Sequence, residues 1–358
     1  MEVKSLTPEI MYNASCRKDT AFEGLFVMAV KTTGIFCRPV CKARKPKFEN
    51  VEFFTNVKAA ILNGYRPCKI CRPLEHEGET PEYIQALLAE LRSNPDMRFS
   101  DYDLKQKGIE PATLRRWFKK YHGVTFQSYQ RFLRINKAFG QIKYGDKITH
   151  VAYGNGFESL SGFNHSFSKA TGLSPNNAKT KQLITITRIT TPLGVMIAGA
   201  TDEGICLFDF AERRMMETIL NRVQKGLNGI AVPGEHHFFA PLADQVKAYF
   251  EGSLHRFDLP LQLIGTPFQK KVWNGLIDIP YGETRSYKQQ SIYLGNEKAI
   301  RAVAGANGDN GIAIIIPCHR VIGENGHLTG YGGGLWRKKW LLEHEAKHTK
   351  GLAQLNLF

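Results

Sequence analysis

Long apolar runs are absent from this chain. No stretch approaches the roughly 18 consecutive apolar residues that a membrane-spanning helix needs. The opening decapeptide, MEVKSLTPEI, has neither the basic n-region nor the apolar h-region of a secretory signal. A cytoplasmic protein with no membrane partner is therefore expected. Cysteine is sparse, seven among 358 residues, and in a reducing compartment these should be thiols rather than disulfides. Acidic residues are also in short supply, 33 against 48 basic ones, which leaves a net charge of +15. A surplus of that size points to a polyanionic partner, the plainer alternative being a solubility surplus.

The excess charge is unevenly spread. Residues 1–80 hold 13 Lys and Arg against 9 Asp and Glu, residues 81–181 hold 16 against 8, and residues 182–358 hold 19 against 16. The middle third carries the largest excess, so nucleic acid is expected to meet it there.

Three regions separate along the chain. Region 1–76 is followed by a polar, proline-containing stretch, HEGETPE (His76 to Glu82), which reads as a linker. Region 82–180 opens with Ile84, Leu87, Leu88 and Leu91 at helical spacing. The third opens at Leu183 with LITITRITTPLGVMIAGATDEGICLFDF, whose alternation broken by glycine predicts antiparallel strands over 183–264. From about residue 265 to 348, around TPFQKKVWNGLIDIPYGETRSY, the pattern changes to helical segments and tight turns.

The middle region repeats itself at an offset of 49 residues. Phe118, Gly123, Val124 and Thr125 align with Phe167, Gly172, Leu173 and Ser174, and Leu114 aligns with Phe163. In the first copy Leu114, Trp117, Phe118 and Tyr121 form one apolar face, while Arg115, Arg116, Lys119 and Lys120 occupy the rest of the surface. A glycine turn precedes each copy, at Lys107-Gly108 and at Gly154-Asn155-Gly156. Two helix-turn-helix units, each presenting a basic helix, fit the pattern; a plain helical bundle with solvated charge is the alternative.

Four of the seven cysteines fall in two short pairs, Cys37 and Cys41 in CRPVC and Cys68 and Cys71 in CKIC, with 26 residues between the pairs. That arrangement suits one tetrahedral Zn²⁺ held by four thiolates. Four thiolates on one divalent cation leave a formal charge of −2, which repels phosphate. Alkylating one of them removes a unit charge, worth about 1 kcal/mol at 4 Å in water and about 4 kcal/mol at an effective dielectric of 20. A methyl group can thus act as an electrostatic switch of DNA affinity. The metal also keeps sulfur in its nucleophilic, deprotonated form.

Near the other end, GIAIIIPCHRVIG (Gly311 to Gly323) carries an apolar run into Pro317 and then displays Cys318, His319 and Arg320. The run predicts an inner strand that Pro317 ends, and a buried structural cysteine would need no histidine beside it.

The quoted motifs carry resemblances that together cover nearly the whole chain. KTTGIFCRPVCKAR…GYRPCKICRP resembles the amino-terminal domain of the Ada adaptive-response family. The middle region resembles an AraC-type double helix-turn-helix. The region from Leu183 resembles the O6-alkylguanine-DNA alkyltransferases, with PCHRV, GYGGG and LLEHE all present. The implied fold class is α+β multidomain: a small four-cysteine zinc domain, an all-α double helix-turn-helix, a ribonuclease H-like α/β subdomain and a winged-helix-like alkyltransferase domain. The implied function is repair of alkylated DNA with control of repair genes. Methyl passes from O6-methylguanine or O4-methylthymine to Cys318, and from DNA methylphosphotriesters to Cys37, which switches the chain to a sequence-specific activator. A repair-only or regulator-only protein is the alternative. Double-stranded DNA and RNA polymerase are the implied partners of a monomer.

The resemblance also implies roles for single residues. Cys37 is the phosphotriester acceptor and, with Cys41, Cys68 and Cys71, a zinc ligand; Arg44 contacts backbone phosphate. His319 takes the Cys318 proton directly or through water, Glu345 holds the imidazole, and Asn310 is a hydrogen-bonding turn residue. Arg301 fills the gap left by a flipped base, Tyr287 helps rotate the phosphate and donates to the base, and Tyr331 of GYGGG stands at the same site. The product is a thioether that water does not cleave, so each cysteine is expected to act once. Arg320 is left open between a buried structural pair and a phosphate contact.

Some positions depart from the family pattern. Glu110 is a weaker helix cap than serine, Phe126 replaces a proline, and His165 and Ser168 stand where Arg and Lys are common. Gln290 and Ser291 replace Leu-Ala, and Gly332 replaces a polar residue. Cys206 reads as a small core residue, Cys16 as core or surface, and His236-His237 as surface. The triple glycine Gly332-Gly333-Gly334 lacks the Lys-Ser/Thr of a phosphate-binding loop and reads as a flexible wall.

Overall fold

The computed structural model describes residues 7–19, 22, 26–55, 57–71, 73, 81–94 and 97–355. In the first region, α1 (Pro8–Arg17) starts at Thr7, whose hydroxyl accepts the Ile10 amide. It lies against a sheet of β1 (Val27–Val30), β2 (Ile35–Cys37), β3 (Val51–Phe54) and β4 (Arg66–Pro67), with α2 (Val57–Leu62) before the last strand. The strand order is β3-β1-β2-β4, antiparallel except where β2 meets β4. Most of the expected linker, residues 76–80, lies outside the described residues, and Pro81 already caps the next helix.

Among the described residues the middle region holds seven helices: α3 (Glu82–Ser93), α4 (Asp101–Gln106), α5 (Pro111–His122), α6 (Phe126–Lys143), α7 (Ile148–Gly154), α8 (Leu160–Thr171) and α9 (Pro175–Ala178). The repeat appears as two helix-turn-helix units, α4–α5 and α7–α8. Leu114, Phe118, Phe163 and Phe167 are all fully buried. Gly123 and Gly172 stop their helices with φ of 73° each, a left-handed cap that glycine adopts without a Cβ clash. Thr125 and Ser174 then cap α6 and α9 through the Ser128 and Asn177 amides. The two copies differ at their starts. Glu110 accepts the Ala112 amide at a long 3.4 Å, whereas Ser159 accepts Gly162 at 3.1 Å. Phe126 is a core residue, its ring 4.9 Å from that of Phe118.

The third region opens with β5 (Gln182–Thr191), β6 (Gly194–Thr201) and β7 (Gly204–Phe210), antiparallel as expected. Then α10 (Met216–Gly226) crosses over to β8 (Gly229–Pro233), which joins β5 in parallel to give the order β7-β6-β5-β8. After α11 (Phe239–Phe250) come α12 (Pro267–Ile277), β9 (Arg285–Ser286), α13 (Tyr287–Tyr293), α14 (Ile300–Gly308), β10 (Val321–Ile322) and α15 (Leu335–Leu355). One core, from Leu193 and Met196 through Trp273 to Leu341, joins the sheet to these later helices.

Three expectations need correction. The second and third regions do not separate cleanly. Ile135, Phe139 and Phe167 share a core with Val232, and Leu183 and Ile230 pack against it. Buried Asn136 donates to Thr185 Oγ1 at 3.2 Å and to the Val232 carbonyl at 3.1 Å. A sheet face must be covered, and here α6 of the helical region covers β5 and β8. Second, Gly311–Ile316 is not a strand. It makes single bridges, Phe208 with Ile312 and Ala313 with Ile316, and Ile314 turns to a φ of 71°. Residues 312–316 are all buried, so their apolar character carried no period to separate strand from turn. Third, His236 is mostly buried, its side chain 11% exposed, and stacked on His237 at 4.4 Å. Cys206 is buried and Cys16 exposed.

Candidate active site and metal centre

The parallel register of β2 and β4 builds the cysteine cluster. Ile35 pairs with Arg66 and Phe36 with Pro67, and the Cys68 amide donates to the Phe36 carbonyl at 3.0 Å. Cys37 ends β2 and Cys68 follows β4, so the two leave the sheet side by side. A tight turn after Cys37, with the Cys41 amide on the Arg38 carbonyl at 3.1 Å, brings Cys41 back to the cluster. The four Sγ atoms lie within 4.8 Å of one another; a tetrahedral ion with bonds of about 2.3 Å needs them about 3.8 Å apart. The crowded sulfurs resist ionising together: the Cys37 thiol is pushed up by its hydrogen bond to Cys71, then by burial and the neighbouring charges. A cation removes that conflict, so the donor set fits Zn²⁺, which when bound holds the sulfurs as thiolates.

The cluster is not symmetric. Backbone N–H groups of Ala43, Ile70 and Arg38 donate to Cys41, Cys68 and Cys71 at 3.5, 3.4 and 3.4 Å. Among the described residues no such donor faces Cys37. Hydrogen bonds stabilise a thiolate and spread its charge, so Cys37 is left the most electron-rich of the four. Arg44 is exposed on the turn beyond Cys41.

On α5, Arg115, Arg116 and Lys119 are exposed. Their partners are Asp101 at 2.8 Å, Thr113 Oγ1 at 3.3 Å and the Gly123 carbonyl at 3.2 Å. Surface pairs of this kind are worth little and leave the cations free to exchange for phosphate. Lys120 belongs to the same helix, its side chain lying outside the described ones. On α8, His165 and Ser168 are exposed.

Cys318 opens a 3₁₀ turn with His319 and Arg320, all three buried. Asn310 organises this turn. Its side-chain amide donates to the Ile316 carbonyl at 2.9 Å and to Cys318 Sγ at 3.3 Å, while its oxygen accepts the Ile312 amide at 2.9 Å. These three bonds hold the Gly311–Ile316 turn in place of strand partners. Burial pushes the Cys318 thiol up, and the Asn310 bond and the Arg213 charge pull against it.

Glu345, fully buried on α15, is the hub behind the thiol. Its Oε1 meets His319 Nε2 at 2.8 Å and Tyr249 Oη at 2.7 Å; its Oε2 accepts Arg320 Nε at 2.9 Å and the Gly282 amide at 3.1 Å. Burial alone would push this carboxyl up, but His319 and Arg320 overcome it and hold it well below the usual carboxylate range. An ionised Glu345 accepts a hydrogen bond from Nε2–H, so the neutral His319 ring keeps its lone pair on Nδ1, which has no protein partner. Burial pushes His319 toward that neutral form, against the pull of Glu345. Arg320 is thus the buried structural partner of Glu345, and its phosphate alternative falls.

Cys318 lies on a cavity of about 510 Å³, lined also by Tyr287, Arg301, Asn307, Tyr331 and Gly332. Tyr287 Oη reaches the Thr329 carbonyl at 3.5 Å, and Tyr331 Oη is buried without a partner. Arg301 is exposed on α14, whose Ile300, Ala304 and Asn307 share the cavity face. The glycine wall leaves little room for side chains: a Cβ on Gly332 would stand 2.4 Å from Arg213 Cζ, and one on Gly333 2.7 Å from the Phe210 ring. Gln290 and Ser291 are fully buried, Gln290 bonding Arg285 at 2.7 Å.

Sequence reasoning missed Tyr249, Arg213 and Lys338. Lys338 is fully buried and donates to the carbonyls of Val321, Thr329 and Gly330 at 2.5, 2.7 and 3.3 Å; burial lowers it to about 8. Its spacing from Leu341 and Glu345 places it on the buried face of α15, the one signal that could have found it.

Comparison with known proteins finds relatives of all three regions. Family models match the metal binding domain of Ada at residues 10–74, a helix-turn-helix domain at 105–181, and the 6-O-methylguanine DNA methyltransferase DNA binding domain at 267–347. The bifunctional transcriptional activator/DNA repair enzyme Ada of Escherichia coli is 31% identical over 96% of this chain and 98% of its own. The regulatory protein ada of Salmonella typhimurium is 30% identical over 92% and 94%. A methylated-DNA–protein-cysteine methyltransferase of Mycobacterium bovis is 55% identical over 34% of this chain and 72% of its own. With similarity running through all three regions in the same order, the chain belongs to the Ada family of bifunctional transcriptional activators and DNA repair enzymes.

Proposed function

We propose that the chain removes methyl groups from DNA onto two of its own cysteines, one transfer being repair and the other also a signal. The observation that carries this reading is Cys318, buried against a cavity with Asn310 on its sulfur and the His319–Glu345 pair beside it. In the transfer an S–C bond forms as the methyl C–O bond breaks, and the electron pair returns to the base, which takes up a proton. Sγ bonds Asn310 and His319 Nδ1 has no protein partner, so the thiol proton passes to Nδ1 through a bridging water. Reaching the base oxygen requires flipping the nucleotide, at a few kcal/mol; Arg301 takes the vacated space and Tyr287 helps rotate and donate to the base. Tyr331 lines the same cavity.

Cys37 is the acceptor for a methylphosphotriester, with Arg44 on the phosphate. Methylation lowers the negative charge of the zinc cluster and strengthens DNA contact through Arg115, Arg116, Lys119 and Lys120. The activated monomer then engages RNA polymerase in the cytoplasm. Incubation with an O6-methylguanine duplex or a phosphotriester duplex, followed by tryptic mass mapping, should place one methyl on Cys318 and on Cys37 respectively. An unmodified Cys318 peptide ends the base-repair reading. Promoter affinity that is the same before and after phosphotriester repair ends the switch.

A further inference from the structure

The α/β subdomain that opens the third region supplies none of the family-implied site residues, yet it sends Tyr249 to Glu345 and Arg213 to the turn that carries Asn310. Arg213, just beyond β7, is 9% exposed and pairs with Asp209, which is fully buried on β7 and also accepts the Phe210 amide at 2.8 Å. The guanidinium then reaches across to the turn after α14. Nη1 donates to the Asn310 carbonyl at 2.8 Å and Nη2 to the Gly308 carbonyl at 2.5 Å. Its other side lies against Gly332, where a Cβ would come within 2.4 Å of Cζ.

We propose that Arg213 is a positioning residue for methyl transfer to Cys318: anchored on Asp209, it ties the Gly308–Asn310 turn to the Gly332 wall and so sets Asn310 against the thiol. The inference rests on the repair reading of Cys318. It explains why position 332 is glycine here: a planar guanidinium fills the space that a side chain would take. It also gives the buried Asp209 carboxylate a partner. Arginine's fork spans two carbonyls and a carboxylate at once, which lysine's single ammonium does not.

The charges facing Cys318 come from several elements: Asp209 and Arg213 at β7, Lys338 on α15, and the phenols of Tyr287 and Tyr331, with neutral His319 adjacent. Arg213 and Lys338 favour the thiolate, whereas Asp209 opposes it. Burial pushes Asp209 itself up to about 6, against Arg213, so it is ionised at neutral pH.

The test is the single-turnover rate of methyl transfer to Cys318 across pH, with duplex affinity measured alongside. Arg213→Met should slow transfer about 100-fold, the scale of a 1 Å misplacement, and move its alkaline rise to higher pH. Asp209→Asn should move that rise to lower pH. Affinity for the duplex should stay unchanged in both, because neither side chain reaches the surface. Arg213→Lys should recover part of the rate. If Arg213→Met fails to fold with Asp209 left unpaired, the double variant Asp209→Asn/Arg213→Met replaces it, and Gly332→Ala displaces the guanidinium with both charges present; each should slow transfer. Shifts of the same sign in the two single variants, or wild-type rates in Gly332→Ala and the double variant, overturn the proposal. A wild-type chain that leaves Cys318 unmethylated removes the repair reading and this inference together, whereas wild-type transfer with indifferent variants removes only this one.

Discussion

Cys37 and Cys318 reach the same chemical state by opposite routes. Cys37 sits among three other sulfurs at the end of a small sheet, where a cation makes it a thiolate outright. Cys318 sits in a large core where, among the described residues, no metal-ligand set lies beside it, and in the proposed transfer its proton leaves through His319 under the hold of Glu345. The first route couples reactivity to folding of its domain. The second couples reactivity to a buried ion network contributed by α11, α15 and the turn after Pro317. The two cysteines should therefore fail under different insults.

Chelation should produce the largest separation. Structural zinc contributes about 10–16 kcal/mol to domains of this kind, and the clusters around Ala14, Phe26 and Phe36 are small. Removing the ion is expected to unfold residues 26–71 and abolish transfer to Cys37, while Cys318 keeps its rate. Mass mapping after chelation reads both at once, and joint loss would break the contrast.

Glu345→Gln should do the reverse. The variant leaves Arg320 buried without its carboxylate, a loss of about 3–5 kcal/mol, and releases the His319 tautomer, at about 10²–10⁴-fold in rate. Transfer to Cys37 should be untouched. Thermal melting and the two transfer rates together test this.

These differences also mark what the sequence could reveal. The cysteine pairs, the 49-residue repeat and the PCHR turn are local patterns, and each appears where its residues predicted. Arg213, Tyr249 and Lys338 were not legible because their roles depend on carbonyls and carboxylates brought from distant segments. Tyr249 is 96 residues from Glu345, and Arg213 is 97 from Asn310. The Gly311–Ile316 turn was misread for a related reason: burial on every side erases the alternation that identifies a strand. The shared core of α6 and β8 was hidden because Ile230 and Val232 look the same whether covered by their own domain or by another.

Acidity and alkalinity should sharpen the contrast more gently. Burial raises the Cys318 thiol, so its transfer rate should climb about tenfold per unit as pH rises toward the thiol pKa. Transfer to Cys37 should stay flat over the same interval. On the acid side, the folded Glu345 carboxyl lies below its unfolded value, so the native state binds fewer protons. Its stabilisation is complete above about pH 4.3 and is lost as pH falls below that. His319, lowered by burial, acts in the same direction below about pH 6.5. Rates by rapid quench and melting curves across pH check both limbs.

The smallest effect expected is that of Tyr249→Phe. The phenol donates to Glu345 Oε1 at 2.7 Å, the same oxygen that holds His319. Removing the hydroxyl leaves the ring packed against Phe257 and His344 and leaves Glu345 with four other N–H donors, from His319, Arg320 and Gly282. The cost should be that of one hydrogen bond to a charged group, about 1.5–3 kcal/mol. The effect on rate should run the other way from Glu345→Gln. A carboxylate relieved of one donor is a better acceptor for the Nε2 proton, which makes Nδ1 a stronger base. Transfer to Cys318 should therefore be retained or modestly quickened while the melting temperature falls, and Cys37 should not respond. A rate that falls in step with stability would mean that Tyr249 positions the carboxylate, not merely that it shares its charge.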